Sequence, residues 1–251
     1  MSRDRLAAFA VHLAVTALVL GGIFWLMRAR WYAGPYYELQ GIGAIYGILA
    51  VSAIVAGPLL TLAVFRRGKK GLGFDLVVIG ALQVAALAYG TWTLHAERPQ
   101  YLVFALDRYN LLGARDVDLS TLRDPALLDA PLPRLLVAEM PMGEAFQRLQ
   151  SEVLFEGKPD LERRPEHWVA YRDGVPAVLA GARPVGELGD ALLPYRPALD
   201  RAAASAGVAP AALLYAPVVG KRRDMTAVVA PGTGEVLTVL PLDPYKINKI
   251  Q

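Results

Sequence analysis

Residues Gly57 to Arg98 read GPLLTLAVFRRGKKGLGFDLVVIGALQVAALAYGTWTLHAER, two apolar runs joined by a tight loop that carries Arg66, Arg67, Lys69 and Lys70. Four cations in five residues between two such runs mark a short cytoplasmic loop, because Lys and Arg are retained on the inner side of a membrane. These residues are the topology determinants of the chain. Everything after Leu94 is then expected on the outer side.

One further apolar run completes the membrane half. Leu6 to Met27 holds 22 residues without formal charge, Ile42 to Phe65 holds 24 and Leu76 to Leu94 holds 19, against about 20 needed to cross a hydrocarbon core of about 30 Å. The first run follows Arg3 and Arg5 as a signal peptide would. It is longer than the roughly 7–15 apolar residues of such a leader, and it ends in Phe24, Trp25, Leu26, Met27 and Arg28 in place of a small-residue cleavage site. It reads as a retained span. The N-terminus is expected inside, the loop Arg28 to Gln40 outside and the basic loop inside. Trp25, Trp31, Tyr32, Tyr36 and Tyr37 cluster at the outer end of the first hairpin, with Tyr89 and Trp92 near the outer end of the third span, where amphipathic rings favour the headgroup layer.

The sequence pI of about 9.1 and net charge of +3 over 251 residues do not point to nucleic acid. Residues 1–98 carry nine Lys/Arg and four Asp/Glu, whereas residues 99–251 carry 17 and 19. The basic balance follows membrane topology. The absence of cysteine excludes a disulfide framework, a thiolate-held metal and a Cys nucleophile.

After Pro99 continuous hydrophobicity gives way to short runs broken by Pro, Gly and Asp, which sets the domain boundary between residues 1–98 and 99–251. Tyr101–Leu106, Leu135–Ala138, Trp168–Tyr171, Ala211–Val218, Thr226–Ala230 and Glu235–Leu240 read as strands. Asp173-Gly174 reads as a hairpin turn into an edge strand at Ala177–Leu179, and Pro231 to Gly234 as a second turn. Gly143–Phe155 and Leu188–Ala206 read as helices, the latter despite Pro194 and Pro197. The expected fold is a membrane protein with three transmembrane α-helices, followed by a small α+β periplasmic domain with an antiparallel sheet.

The chain offers no catalytic constellation. His12, His95 and His167 lie too far apart for metal-ligand spacing, and no GxSxG turn surrounds Ser52 to make it a nucleophile with His12. An aspartyl membrane protease needs two facing carboxylates, and the spans offer only Asp75. Gly232 and Gly234 lack the helix, Lys and Ser/Thr of a phosphate loop, and Lys221 to Arg223 read as a solvated turn. No enzymatic activity, cofactor or metal is expected. Asp75 reads as the N-cap of the third span, and Pro58 removes a backbone donor from the second. Gln83 sits inside the hydrocarbon, where its amide needs a partner, either within the bundle or on another protein's helix. Small residues recur at four-residue spacing, as in Gly43 with Gly47, Ala53 with Gly57, Ala81 with Ala85 and Ala86 with Gly90. Such rows let helix backbones approach closely, again among the chain's own spans or against a foreign helix.

The stretches GPLLTLAVF (57–65), GKKGLGFDL (68–76), QVAALAYG (83–90) and ERPQYLVF (97–104) resemble the TfpX/TfpZ family of type IV pilin accessory proteins, densely over residues 41–110 and loosely beyond. The resemblance implies a bacterial inner-membrane protein that supports type IV pilus assembly as a chaperone or modulator, with the major pilin as partner and no catalytic residues to carry over. Gln83, Gly43, Gly47, Gly57, Pro58 and Asp75 are then the candidates for contact with a pilin helix in the bilayer. The alternative from another class is a membrane-anchored periplasmic ligand-binding or sensor protein, although its cytoplasmic parts would lack an output module.

Overall fold

The computed structural model describes residues 3–247. They divide into two compact units, one of residues 3–37 with 41–98 and the other of residues 38–40 with 99–247.

In the first unit three helices are long and apolar enough to cross a membrane: Arg3–Trp31, Ile42–Val64 and Leu72–Ala96. Most of their large apolar side chains point outward, Leu18, Ile48, Val77 and Val84 among them, as lipid-facing surfaces must. A narrow internal seam of Leu20, Met27, Ile42, Leu49, Ala53 and Leu94 holds the spans together. Tyr32 is fully buried in that seam and donates its hydroxyl to the Leu94 carbonyl at 2.7 Å, so it is an internal clamp rather than a headgroup anchor. Tyr46 does the same to the Leu20 carbonyl at 2.9 Å. The second span passes through Pro58 by widening into a π-helical segment, Val55–Leu59, before α geometry resumes at Leu60. That widening accommodates the missing proline N–H without breaking the helix. The third span begins at Leu72, one turn earlier than hydropathy suggests, with Gly71 in the left-handed conformation as its N-cap. Asp75 is therefore not the cap. It lies inside the first turn, where its charge favours the helix dipole, and its carboxylate accepts from Lys69 Nζ at 2.6 Å.

The second unit is built on one eight-stranded sheet. Its strands are β1 (Pro99–Ala105), β2 (Arg108–Gly113), β3 (Arg134–Ala138), β4 (Trp168–Ala170), β5 (Arg183–Pro184), β6 (Leu214–Val219), β7 (Asp224–Val229) and β8 (Val236–Leu240). The order is β4-β3-β1-β2-β6-β7-β8, with β5 beside β6. The sheet is mixed and not purely antiparallel, since β1 runs parallel to β3 and β2 parallel to β6. β1 is buried at all seven positions, which is why its stretch Tyr101–Ala105 reads as a continuous apolar run and not as an alternation. Tyr101, Val103 and Ala105 pack with Leu136, Leu149 and Trp168 in one core. A second core joins Leu188, Leu199, Ala202, Leu213, Tyr215 and Val228.

Three sequence expectations are corrected here. Ala177–Leu179 is not an edge strand but part of a helix, Val175–Gly181, with Pro176 in its first turn, where a missing N–H costs nothing. Gly174 is required by space rather than by a hairpin, since a Cβ there would sit 2.4 Å from Val137 Cβ. Leu188–Ala206 is not one helix. A 3-10 segment, Val185–Tyr195, is broken at Gly189 (φ 53°), and an α-helix, Arg196–Ala206, then starts with Pro197 in its first turn. β2 follows β1 through a two-residue turn in which Leu106 adopts φ 60°, a conformation that usually calls for Gly.

A tyrosine pair closes the middle of this unit. Tyr109 is fully buried, and its hydroxyl lies 2.6 Å from that of Tyr171, which is itself 2.6 Å from the Gly234 carbonyl. Burial pushes both phenols above their ordinary values, so both keep their protons. A carbonyl only accepts, so Tyr171 donates to Gly234 and Tyr109 donates to Tyr171. The direction makes a prediction. Tyr171→Phe strands the buried Tyr109 hydroxyl and is expected to cost about 1–3 kcal/mol, whereas Tyr109→Phe leaves the Tyr171–Gly234 bond intact and costs about 0.5–1.5 kcal/mol. Thermal melts of the full chain in detergent measure both; the opposite ranking would overturn the assigned direction.

Candidate functional site

The polar groups buried in the membrane unit converge on one place. Gln83 on the third span is 5% exposed, Thr16 on the first 1% and Thr61 on the second 3%. His12, one turn before Thr16, stands between them. Its Nε2 lies 2.5 Å from Gln83 Oε1 and its Nδ1 lies 2.8 Å from Thr61 Oγ1. Gln83 Nε2 donates to Thr16 Oγ1 at 2.7 Å, and Thr16 returns its proton to the His12 carbonyl at 2.9 Å.

The proton positions follow from the acceptors. An amide oxygen cannot donate, so His12 carries its proton on Nε2 and gives it to Gln83. Nδ1 is bonded to the Thr61 hydroxyl, which can serve as either donor or acceptor. Every link in the network thus has one donor and one acceptor, and the network joins all three spans. In hydrocarbon an unmet amide or imidazole costs several kcal/mol, so the bundle assembles with these groups facing inward.

Gly57 makes room for the amide. A Cβ at that position would lie 1.9 Å from Gln83 Oε1, closer than any side chain tolerates, and the glycine cannot be replaced while Gln83 stays where it is. Gly57 and Thr61 are four residues apart in the second span, as are His12 and Thr16 in the first.

The remaining candidates take other places. A Cβ at Gly43 would press on the Tyr37 hydroxyl at 2.9 Å, and one at Gly90 on Leu49 at 2.5 Å, so both glycines serve packing inside the unit. Pro58 is buried within the π segment, next to Gly57. Gly47 has open space around its Cα, and Ala81 and Ala85 are exposed on the third span. Asp75 pairs with Lys69. Arg67 meets Asp4 at 3.3 Å, while Arg66 and Lys70 are exposed. Ser52 is exposed and does not join His12. The sequence singles out Gln83, Gly57 and His12 but does not connect them, and it gives no notice of Thr16 and Thr61. The available signal was the pair of four-residue spacings, His12 to Thr16 and Gly57 to Thr61, each placing two polar or small residues on one helix face. Among the described residues no three His, Asp or Glu side chains come together as a metal site.

Three curated relatives are similar to this chain. One, "Fimbrial assembly protein, serogroup I" of Dichelobacter nodosus, is 29% identical over 185 residues, 71% of this chain and 70% of its own. A serogroup E1 protein of the same name and organism is 28% identical over 179 residues, covering 69% and 68%. A third, of serogroups C1 and C2, is 31% identical over 116 residues, 45% of this chain and 86% of its own. The chain belongs to the fimbrial assembly protein family. No family model matches it, and no solved structure matches it.

In this fimbrial assembly family member the contact between Gly57 and Gln83 gives a coupled prediction. Gly57→Ala displaces the amide and is expected to destabilise the bundle by about 1–2 kcal/mol, the upper range for a hydrogen bond between membrane helices. In a Gln83→Ala background the same change costs a few tenths of a kcal/mol, because nothing is left to displace. Melting curves in detergent for the four proteins of this cycle measure the coupling. Simple additivity would show that the two residues do not act through each other.

Proposed function

We propose that this protein supports type IV pilus assembly in a bacterial inner membrane by holding pilin, without catalysis. The observation that carries the reading is the 31% identity to a relative named as a fimbrial assembly protein, 86% of which the chain covers. Three membrane-length helices and a folded domain suit a client that itself has an apolar helix in the bilayer and a globular head beside it. The stretches around residues 57–104 that resemble the TfpX/TfpZ family narrow the reading to a pilin accessory protein.

The chemistry supports a binding role. The membrane network holds an amide, an imidazole and two threonine hydroxyls with no carboxylate, and its bonds run between all three spans, which suits fixing helix positions. With the Gln83 amide bonded inside the bundle, a pilin helix would dock on surfaces where backbones remain approachable: Gly47 on the second span, and Ala81 and Ala85 on the third. Arg3, Arg5 and the loop Arg66–Lys70 favour a cytoplasmic N-terminus, which by counting spans puts residues 99–251 in the periplasm.

Deleting the chain is expected to lower surface piliation while leaving pilin synthesis unchanged. A photocrosslinker at Ala81 or Ala85 in intact membranes should capture pilin, and one at buried Thr16 should not. Normal piliation in the deletion strain, or capture independent of position, would sink the reading. Orientation has its own check in this Cys-free chain. A Cys at Asp173 is expected to react with an impermeant thiol reagent once the outer membrane alone is opened, and a Cys at Lys70 only after the inner membrane is broken. The reverse pattern would invert the topology.

A further inference from the structure

At the end of the membrane unit that carries the basic loop, the three spans leave a groove of about 660 Å³. Ala7, Ala8, Val11 and Val15 of the first span form one wall, with Phe65 and Leu76 opposite. Thr61 and His12 also line it, but their polar atoms are bound to each other and to Gln83. The other polar lining, Asp4 and Arg67, forms an ion pair at the mouth, so the stretch between Ala8 and Val15 is apolar and poorly suited to water, which needs two to four partners. An empty groove in hydrocarbon would deprive its lining of dispersion contacts, so its natural occupant is a flexible apolar chain.

Charge at the mouth decides what that chain is attached to. This end carries Arg3, Arg5, Arg66, Arg67, Lys69 and Lys70 against only Asp4 and Asp75. Arg5 is spent on the Leu62 and Ala63 carbonyls, where it closes the C-terminal end of the second span. Lys69 pairs with Asp75, and Arg67, 84% exposed, pairs with Asp4 at the groove mouth. Arg3, Arg66 and Lys70 are exposed cations outside these pairs. A second copy of the chain would bring the same basic loop to the same side of the bilayer, adding like charge. A lipid with a negative head supplies the missing charge, as basic clusters beside membrane helices attract anionic headgroups.

We propose that this groove binds an anionic phospholipid, with one acyl chain along Ala8, Val11 and Val15 and the phosphate against Arg66 and Arg67. The proposal rests on the membrane-spanning bundle and its charges and is independent of any contact with pilin.

Native mass spectrometry of the full chain, released from detergent after titration with phosphatidylglycerol or phosphatidylethanolamine, tests it. Phosphatidylglycerol should be retained at least about fivefold over phosphatidylethanolamine, the preference expected from a single headgroup cation. Ala8→Trp, which fills the groove, should abolish that retention. Arg66→Gln with Arg67→Gln should bring the two lipids to near equality; these loop residues lie outside the bundle, so this variant stays informative if Ala8→Trp folds poorly. Equal retention of the two lipids by the unaltered protein would overturn the proposal. So would an undiminished preference in a folded Ala8→Trp variant, which would place the lipid on the loop alone. Disulfide capture of a second copy, or of another protein's helix, through Ala8→Cys would make the groove a protein interface and equally overturn it.

Discussion

A side-chain amide in the middle of a bilayer sets the terms for the membrane unit. Gln83 cannot turn to water, so its carbonyl oxygen and one of its N–H groups must find partners on neighbouring helices, and His12 and Thr16 provide them. His12 in turn needs a partner for its other ring nitrogen, and that partner is the Thr61 hydroxyl on the second span. Each satisfied group constrains the next, so the relative rotation of all three spans follows from one residue. Non-directional packing of Leu and Val against lipid-like surfaces would not select among rotations, because hydrocarbon outside the bundle is as apolar as the seam within it. Gly57 and the π segment around Pro58 are the backbone side of the same constraint, the glycine making room for the amide and the wider turn carrying the helix past the proline.

Hydropathy and charge made the membrane architecture legible, because a span is a property of about 20 consecutive residues and averages over local detail. The third span starts early because Leu72, Gly73 and Phe74 extend the helix ahead of Asp75, which a charge-based boundary excludes. The site was half legible. Gln83 and Gly57 stand out alone as a polar group and a small group in hydrocarbon, but their meeting depends on helix rotation, which no window of sequence contains. Ser52, which the sequence already gives no nucleophile turn, is on an exposed face away from His12. Threonines in spans carry no signal of their own, since Thr also bonds its own helix, as Thr93 does to the Tyr89 carbonyl.

In the second unit the misses share one cause, which is that turn chemistry was read without tertiary context. Asp173-Gly174 looked like a hairpin, but Gly174 sits there because Val137 leaves no room for a side chain, and Pro176 opens a helix. β2 escaped notice for the opposite reason. The turn before it is made by Leu106 at φ 60°, with none of the Asn-Gly or Asp-Gly chemistry that announces such a turn. Its strain is offset by the surroundings: Asp107 pairs with Arg108 and Arg183, and the Leu106 carbonyl lies so near Gly181 that a Cβ there would be 2.1 Å away. The mixed sheet is likewise invisible locally. Parallel pairing of β1 with β3 and of β2 with β6 depends on long returns of chain and not on the strands themselves.

The closed network has a consequence for how this bundle meets other helices. Gln83 and His12 have their partners within the bundle, so under the proposed role a pilin helix would be recognised by shape, through exposed small residues such as Ala81 and Ala85. Contacts of that kind between membrane helices gain only packing dispersion and are weak one at a time, because the lipid they displace packs almost as well. Under the proposed role this weakness is useful. A protein that holds a subunit for assembly must also let it go, and a polar bond made in hydrocarbon would have to be broken without water to replace it. Keeping the amide and imidazole for its own three spans fixes the bundle and would leave such a contact with pilin reversible.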